Sequence, residues 1–179
     1  VYDSGDYGRA LERLLELVGP DYQPEREESP QEEGRYRGVG FACFVESSGT
    51  PQSESGLVRV HPSGTVTAYC GTKDHGQGHR TTFAQVLADE LGIPYEDIEI
   101  VEGDTDQVPH GTGSYGSRSA MLGGNVLVES AQKVIEQARP IAAHRLEASE
   151  ADVEFVDGEF RIAGAPTRSV GFQEVAQMA

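Results

Sequence analysis

One stretch of the chain, VTAYCGTKDHGQGHRTTFAQVLADEL from Val66 to Leu91, joins two kinds of secondary structure through a glycine-rich loop. Its start has the composition of a β-strand, and its second half, from about His79, repeats apolar residues at helical spacing. The residues that would share one face of this helix are Phe83, Val86, Leu87 and Leu91. Gly92-Ile93-Pro94 follows and predicts the end of the helix. The stretch therefore predicts a strand, a tight loop and a helix in succession.

Alternating apolar residues predict further strands on the N-terminal side of this unit. Residues Gly56–Cys70 contain two short apolar runs around Pro62-Ser63-Gly64, which is the signature of a β-hairpin. Residues Arg35–Glu46 alternate in the same way and predict another strand. The apolar face of that strand would consist of Val39, Phe41, Cys43 and Val45.

The C-terminal side alternates helices with short strands. A strand is predicted at about Asp97–Val101, and after a loop at Gly103–Gly116 a long apolar repeat predicts a helix capped by Ser119. Pro140 lies within that repeat and predicts a kink or a break, because proline removes one N–H group and clashes with the preceding turn. The last elements are a predicted hairpin, Val153–Phe155 and Glu159–Ile162 around Asp157-Gly158, and a short helix from about Phe172. The predicted fold class is α+β, with a mixed sheet, hairpins and packed helices.

The N-terminal end differs in character from the rest of the chain. Residues 1–20 predict an amphipathic helix that Ser4 or Asp6 can cap. The residues after it are rich in acids and include two prolines, which is typical of a solvated linker. We therefore expect three parts: a helix at 1–20, an acidic linker at 21–34 and an α+β subdomain at 35–179.

The charge balance narrows the possible partners. The 179 residues include 30 acidic and 14 basic side chains, for a formal net charge of −16. Such a charge repels nucleic-acid backbones and anionic membranes, so neither is an expected partner. No apolar run is long enough to span a membrane, and residues 1–20 lack the apolar segment of a signal peptide. Cys43 and Cys70 lie in strand-like contexts and predict buried free thiols of a cytoplasmic protein.

Two glycine-rich segments share one design. GTKDHGQGH, Gly71–His79, precedes the first predicted helix of this region, and GTGSYGSRS, Gly111–Ser119, precedes the long one. Both place small residues at a helix N-terminus, where unpaired N–H groups and the helix dipole favour an anion. Either both segments are tight connections, or together they bind a phosphorylated cofactor. Two such segments in a chain with few basic residues favour the cofactor.

Other titratable residues carry weaker signals. His75 and His79 are four residues apart, but glycines lie between them, so the helical spacing of metal ligands does not apply. The acidic stretch Asp89–Asp106 has eight carboxylates and no base, and it lacks the ligand pattern of a calcium loop. We expect this stretch to be a solvated surface, on which Glu102 could be replaced without effect.

The run GQGHRTTFAQVLADELGIPYEDIEIVEGDTDQVPHGTGSYGSRSAMLGG, Gly76–Gly124, resembles the molybdenum hydroxylases: xanthine dehydrogenase, aldehyde oxidase and carbon monoxide dehydrogenase. The similarity is to the molybdopterin-binding part of their large subunit. Three further segments match the same region in order: YDSGDYGRALERLLEL, RGVGFACFVESSG and HPSGTVTAYCGT. The resemblance therefore covers nearly the whole chain.

The resemblance implies a set of cofactor-binding residues and no catalytic or metal-ligating side chain in this region. These residues are Gly76, Gln77, Gly78, His79, Thr81, Gly116, Ser117 and Ser119, with His75 as a further candidate. Gln77 and the glycines beside it would hold the pterin and its pyrophosphate, and Gly116 would lie beside the molybdenum. Arg80 is a departure, because the family often has a glutamate at this position.

The resemblance also implies the wider context of the domain. The cofactor would be a molybdopterin, in the cytosine dinucleotide form common in bacterial members, and the substrate an aldehyde, an N-heterocycle or carbon monoxide. The partners would be the remainder of the large subunit and the iron–sulfur and FAD subunits or domains. Because the family's general-base glutamate lies outside this region, we expect the isolated chain to be an inactive part of a longer subunit. The alternative is a non-catalytic binding or assembly module that retains the scaffold without cofactor.

Overall fold

A computed structural model of the protein describes residues 4–19, 27–28, 34, 36–37, 40–46, 48–49 and 53–179. The chain divides into two compact units, Val1–Glu46 and Ser47–Ala179. Within the described ranges, no helix combines the length and the apolar composition needed to cross a lipid bilayer.

The first unit contains one helix and one short strand pair. Helix α1 covers Tyr7–Val18, and the Asp6 carboxylate caps it by accepting from the Arg9 N–H at 3.0 Å. This confirms the predicted helix and one of its two predicted caps. The predicted acidic linker, 21–34, lies largely outside the described residues. Its described part includes strand β1, Glu27–Glu28, which pairs antiparallel with β2, Tyr36–Arg37.

The strand predicted at Arg35–Glu46 is wrong over most of its described length. Only β2 forms, and residues 40–46 have no strand structure. The Phe44 side chain is 79% exposed, and Cys43, predicted to be buried, is exposed as well. Alternation makes one face of a segment apolar, but a strand also needs a neighbouring strand to complete its hydrogen bonds. Residues 40–46 belong to none of the described sheets.

The second unit begins with a three-stranded mixed sheet, as predicted. Strand β3, Gly56–Val60, pairs antiparallel with β4, Val66–Cys70, across the expected turn. Helix α2, His79–Leu91, then leads to β5, Ile98–Glu102, which pairs parallel with β4. A 3-10 turn at Tyr95–Asp97 precedes β5. The sheet order is β3-β4-β5.

The rest of the second unit contains the long helix and a second sheet. Helix α3 covers Asn125–Leu146 and follows a π-helical turn at Ser119–Gly124. After a 3-10 turn at Glu150–Asp152, the remaining elements are β6, Val153–Val156, β7, Glu159–Ile162, β8, Ala165–Gly171, and α4, Phe172–Met178. Strands β6, β7 and β8 form an antiparallel sheet in that order.

The structure contradicts the predicted cap of the long helix and the predicted break within it. Ser119 does not cap it, because the chain enters through the π-helical turn and the Ser119 hydroxyl donates to Ser114 Oγ instead. Pro140 does not break it, because α3 continues past this residue to Leu146. Pro140 is exposed, so the carbonyl group that loses its N–H partner there is on the solvent side of the helix.

The hydrophobic core lies between the sheets and helices α2, α3 and α4. Val58, Ala68 and Ile100 are opposite one another on the three strands of the first sheet, and all three are buried. The buried apolar face of α2 consists of Phe83, Ala84, Leu87 and Leu91, and that of α3 includes Leu127, Ala131 and Ile135. The α+β class and the mixed sheet are confirmed, and this core holds the ends of β4 and α2 in place.

Candidate functional site

The two glycine-rich segments converge on one cleft. The first, Gly71–Gly78, joins β4 to α2, and the second, Gly111–Arg118, leads into the π-helical turn before α3. Together with α2 they line a cleft of about 770 Å³. Ligand sites of small molecules occupy roughly 300–1,000 Å³, so the cleft has the size of such a site. The predicted residues that line it are Gln77, His79, Gly116, Ser117 and Ser119, together with His75.

A smaller cavity of about 220 Å³ lies between β3, α3 and α4. Aliphatic side chains and Phe172 form most of its wall, and Gln137 is the polar side chain among them. A ligand site needs several polar groups that converge on one point to fix its ligand. The cleft between the loops has such groups, so it is the candidate site.

Serine side chains connect the two loops directly. Ser114 Oγ donates to the Lys73 carbonyl at 2.6 Å and accepts from the Lys73 N–H at 3.0 Å. Ser119 Oγ donates to Ser114 Oγ at 2.7 Å, which completes the hydrogen-bonding capacity of that hydroxyl. The Gly113 N–H donates to the Gly71 carbonyl at 3.2 Å. The loops therefore form one hydrogen-bonded structure.

The loops also touch through two glycines that leave no room for a side chain. A Cβ atom added to Gly71 would lie 2.7 Å from Gly111 Cα, and one added to Gly111 would lie 2.7 Å from the Gly71 carbonyl carbon. All these neighbours are backbone atoms, which cannot move aside as a flexible side chain can. The contact requires glycine on both sides.

Two other glycines face open space. Gly76 and Gly78 have positive φ angles of 104° and 81°, which favour glycine. A Cβ atom added at either residue would find no atom within 4 Å. A ligand can therefore approach the backbone here, as the sequence predicts. In the second loop Gly116 and Ser117 both adopt left-handed conformations, with φ angles of 55° and 53°.

The Asp74 carboxylate occupies part of the N-terminus of α2. It accepts from the Gly76 N–H at 2.6 Å and from the His79 N–H at 3.1 Å. The hydrogen bond from the Gly76 N–H, followed by those from Gly78 and His79, lowers the pKa of Asp74 below its usual value. The sequence predicts unpaired N–H groups at this helix start, but those of Gly76, Gly78 and His79 are already bonded to Asp74.

Replacement of Asp74 by asparagine should make stability less dependent on pH. Because its pKa is lowered in the folded state, Asp74 stabilises the fold above its unfolded pKa of about 3.9, and this contribution is lost as the pH falls through the folded pKa. Asp74→Asn should therefore be less stable than the parent chain at neutral pH and approach it in acid. Urea unfolding of both chains between about pH 7 and about pH 3 measures this. A constant difference across that range would contradict the assignment.

A row of polar side chains runs from Gln77, which is exposed at the cleft, to buried residues behind it. Gln77 Nε2 is 2.9 Å from His79 Nε2, and His79 Nδ1 is 2.9 Å from Glu102 Oε1. The Thr72 hydroxyl donates to the same Glu102 oxygen. The Glu102 side chain is only 4% exposed, so the prediction that it lies on a solvated surface is wrong. Glu102 ends β5 and pairs with Cys70 in the register, which places it next to the core rather than in the acidic loop that follows.

A buried ion pair between Arg118 and Glu54 supports the second loop from the interior of the protein. Arg118 Nη1 is 2.6 Å from Glu54 Oε2, and both side chains are fully buried. Arg118 also donates to the carbonyls of Gly113, at 2.7 Å, and Ser53, at 3.2 Å. Its guanidinium carbon lies 5.3 Å from the centre of the Tyr115 ring. The sequence gives one signal for this pair, an arginine between two serines in a glycine-rich loop, but none for the partner 64 residues away.

Of the predicted site residues, Gly76, Gly78 and Thr81 do not line the cleft. Thr81 is exposed on the first turn of α2, and the neighbouring Arg80 is exposed as well. Among the residues that the structure describes, no group of three or more His, Cys, Asp or Glu side chains is arranged to hold a metal ion. The cleft offers a ligand amide, hydroxyl and backbone groups, and the Asp89 carboxylate and the His75 ring also line it.

Comparison with known proteins gives the family of the chain. Residues 13–179 match the family described as "Molybdopterin cofactor-binding domain". The carbon monoxide dehydrogenase large chain of Afipia carboxidovorans is 39% identical over 98% of this chain, and the nicotine 6-hydroxylase large subunit of Paenarthrobacter nicotinovorans is 33% identical over 98%. These matches cover 24% and 23% of those proteins, so the chain spans about a quarter of their length.

Solved structures show the same relationship. A crystal structure of Cu,Mo-CO dehydrogenase matches 70% of this chain and 16% of that one, with 46% identity and a TM-score of 0.68. Quinoline 2-oxidoreductase from Pseudomonas putida 86 matches 69% of this chain and 16% of that one, with 39% identity and a TM-score of 0.63. The chain belongs to the molybdopterin cofactor-binding domain family and corresponds to that domain of a molybdenum hydroxylase large subunit.

Proposed function

We propose that the cleft between the two glycine-rich loops is where this domain holds its molybdopterin. The observation that carries the proposal is the pair of loops, which bond to each other on one side and leave Gly76 and Gly78 open on the other. Asp74 occupies the N–H groups at the start of α2, so the groups that the cleft leaves for the cofactor are the hydroxyls and backbone of the second loop and the open space beside the two glycines. Such groups can bind a cofactor without basic side chains, which suits a domain with a net charge of −16.

The residues of the cleft divide into those that contact the cofactor and those that support them. The contacting set is Gln77, His79, Gly116, Ser117 and Ser119, which line the cleft, together with Gly76 and Gly78, which flank Gln77 and face open space. Thr81 would contribute only if the cofactor reached past the first turn of α2. The cytosine dinucleotide form fits best, because the chain is similar to bacterial carbon monoxide dehydrogenase large chains.

The whole protein is then a molybdenum-dependent hydroxylase or dehydrogenase, with the rest of the large subunit and iron–sulfur and FAD subunits or domains as partners. When bound, the cofactor supplies oxygen-atom transfer and accepts two electrons from the substrate. The relatives named here act on carbon monoxide, nicotine and quinoline, so the substrate class is an aldehyde, an N-heterocycle or carbon monoxide. The domain itself binds and orients the cofactor.

A non-catalytic module that keeps the scaffold without cofactor is not favoured. Residues 13–179 match the molybdopterin cofactor-binding domain, and the similar proteins are large subunits of molybdenum enzymes rather than cofactor-free modules.

Substitution in either loop should lower the cofactor content of the full-length enzyme. Gln77→Ala removes an amide whose Nε2 hydrogens are bonded within the loop and whose Oε1 can still accept from an N–H of the cofactor, a loss of about 0.5–1.5 kcal/mol, or roughly 2- to 10-fold in affinity. Gly116→Val should be more severe, because a β-branched residue is strained at its φ of 55° and its side chain lies at the cleft. Molybdenum and released cytidine nucleotide per folded subunit are the measurements.

Matched controls separate cofactor loss from general damage. Gln132→Ala makes the same chemical change on the exposed face of α3, and Gly164→Val places valine at a positive φ of 78° with no atom nearby. Both controls should keep their cofactor. If Gln77→Ala and Gly116→Val also keep it in full, the cleft is not the cofactor site.

A further inference from the structure

The row of polar side chains behind Gln77 comes from separate parts of the fold. Gln77 belongs to the first loop, His79 begins α2, Glu102 ends β5, and Thr72 follows β4. His79 is 5% exposed and Thr72 is 1% exposed, so the inner part of the row lies inside the protein, whereas Gln77 is exposed at its outer end. The His79 ring also packs on Phe83, with ring centres 4.8 Å apart, which fixes its plane. A buried carboxylate and imidazole are costly to desolvate, so their arrangement is expected to be specific.

The orientation of the Gln77 amide follows from its backbone partners. Its Oε1 accepts from the His75 N–H, and its Nε2 donates to the Lys73 carbonyl at 3.1 Å. A backbone N–H can only donate and a carbonyl can only accept, so the amide has one possible orientation. The second hydrogen on Nε2 therefore points at His79 Nε2, and this ring nitrogen must accept it.

The tautomer of His79 follows in turn. Since Nε2 accepts, the ring proton of neutral His79 is on Nδ1, where it donates to Glu102 Oε1. The opposite tautomer would place the ring N–H on His79 Nε2, directly against the Gln77 NH₂ group. It would also leave His79 Nδ1 and Glu102 Oε1 facing each other with no hydrogen between them. The amide could avoid this clash only by rotating away from both backbone partners.

We propose that Glu102 and His79 are positioning residues, which fix the side chain of Gln77 in the orientation that it presents to the cleft. The carboxylate and the backbone partners of Gln77 act on His79 from opposite ends: Glu102 holds the ring proton on Nδ1, and this keeps Nε2 free to accept the second amide hydrogen of the oriented Gln77. That this positioning matters for cofactor binding rests on the proposed function. The hydrogen bonds from Glu102 through His79 to Gln77 do not depend on it.

The first test uses the chain alone and reads the tautomer of His79 from long-range ¹H–¹⁵N spectra. The parent chain should show the Nδ1–H form and a slowly exchanging Gln77 NH₂ group. Glu102→Leu removes the acceptor, so His79 should no longer be held in the Nδ1–H form. The Gln77 NH₂ hydrogens should then exchange about tenfold faster, which corresponds to the loss of one hydrogen bond. Glu102→Gln keeps an oxygen that can accept from Nδ1, so it should restore the parent spectrum.

Two further variants define the direction of the effect. Glu99→Leu makes the same chemical change on the exposed face of β5 and should alter neither resonance. Gln77→Leu should leave His79 in the Nδ1–H form, because Glu102 still holds it; this variant decides the question alone if Glu102→Leu does not fold. Retention of the Nδ1–H form and a protected amide in Glu102→Leu, or a change of tautomer in Gln77→Leu, would overturn the proposal.

Cofactor content in the full-length enzyme separates this proposal from the proposed function. If both are right, Glu102→Leu lowers molybdenum content and Glu102→Gln does not. If the spectra change as expected while Glu102→Leu and Gln77→Ala both keep their cofactor, the positioning is right and the assignment of the cleft is wrong. If the spectra do not change, the positioning is wrong whatever the cofactor content.

Discussion

Arg118→Met should lower the free energy of unfolding by about 3–5 kcal/mol, because it leaves the Glu54 carboxylate buried without its partner. The guanidinium group is completely buried and donates to Glu54 and to two backbone carbonyls. Methionine fills a similar volume but donates to none of them. The second loop would lose the contact with Gly113 that holds it, so the cleft should also lose its shape.

The companion variants show whether charge or packing is responsible. Glu54→Leu combined with Arg118→Met removes both charges, and it should recover most of the lost stability, since a buried pair contributes little beyond its apolar replacement. Arg145→Met serves as the control, because its ion pair with Glu174 is about half exposed and such pairs contribute about 0–1 kcal/mol. Urea unfolding of the 179-residue chain compares all of them. A loss for Arg118→Met no larger than that for Arg145→Met would contradict the role assigned to the pair.

Local sequence was sufficient to predict the bounds of an element that has a clear stop signal at each end. Helix α2 has the predicted bounds, because its apolar spacing lies between Gly78 and Gly92, which both adopt left-handed conformations. Strand β8 was missed, because it is mostly exposed and only Val170 is buried within it, so its sequence lacks alternation. The strand predicted over residues 40–46 shows the reverse case, in which alternation occurs without a partner in the described sheets.

The candidate site divides in the same way. The two glycine-rich loops are local features, and sequence alone indicated that they act together. The residues that hold them were not visible, because their pairings are remote: Arg118 is 64 residues from Glu54, and His79 is 23 residues from Glu102. A charged residue is predicted to be exposed unless a buried partner for it is known, because charged side chains are rarely buried without one. This is why Glu102 looked like part of a solvated surface.

Because the two loops touch at Gly71 and Gly111, we expect Gly111→Ala both to destabilise the domain and to lower the cofactor content of the cleft. The added methyl group would lie 2.7 Å from the Gly71 carbonyl carbon, and backbone must move to admit it. Overpacking of this kind costs about 1–3 kcal/mol and sometimes more. The movement would also break the hydrogen bond from Gly113 to Gly71 and draw Ser114 away from Lys73. Gly71→Ala should be at least as damaging, because its Cβ would meet Gly111 Cα at 2.7 Å and also the buried Glu54 carboxylate.

The matched control is Gly171→Ala, since this glycine has an ordinary negative φ and no atom within 4 Å of an added Cβ. It should change the free energy of unfolding by less than about 1 kcal/mol. Unfolding of the isolated chain and molybdenum content of the full-length enzyme are measured for all three variants. A Gly111→Ala domain that is as stable as Gly171→Ala and fully loaded would mean that the loops bind cofactor without touching each other. Loss of cofactor at nearly full stability would mean instead that the spacing of the loops, rather than the integrity of the fold, is what the cofactor requires.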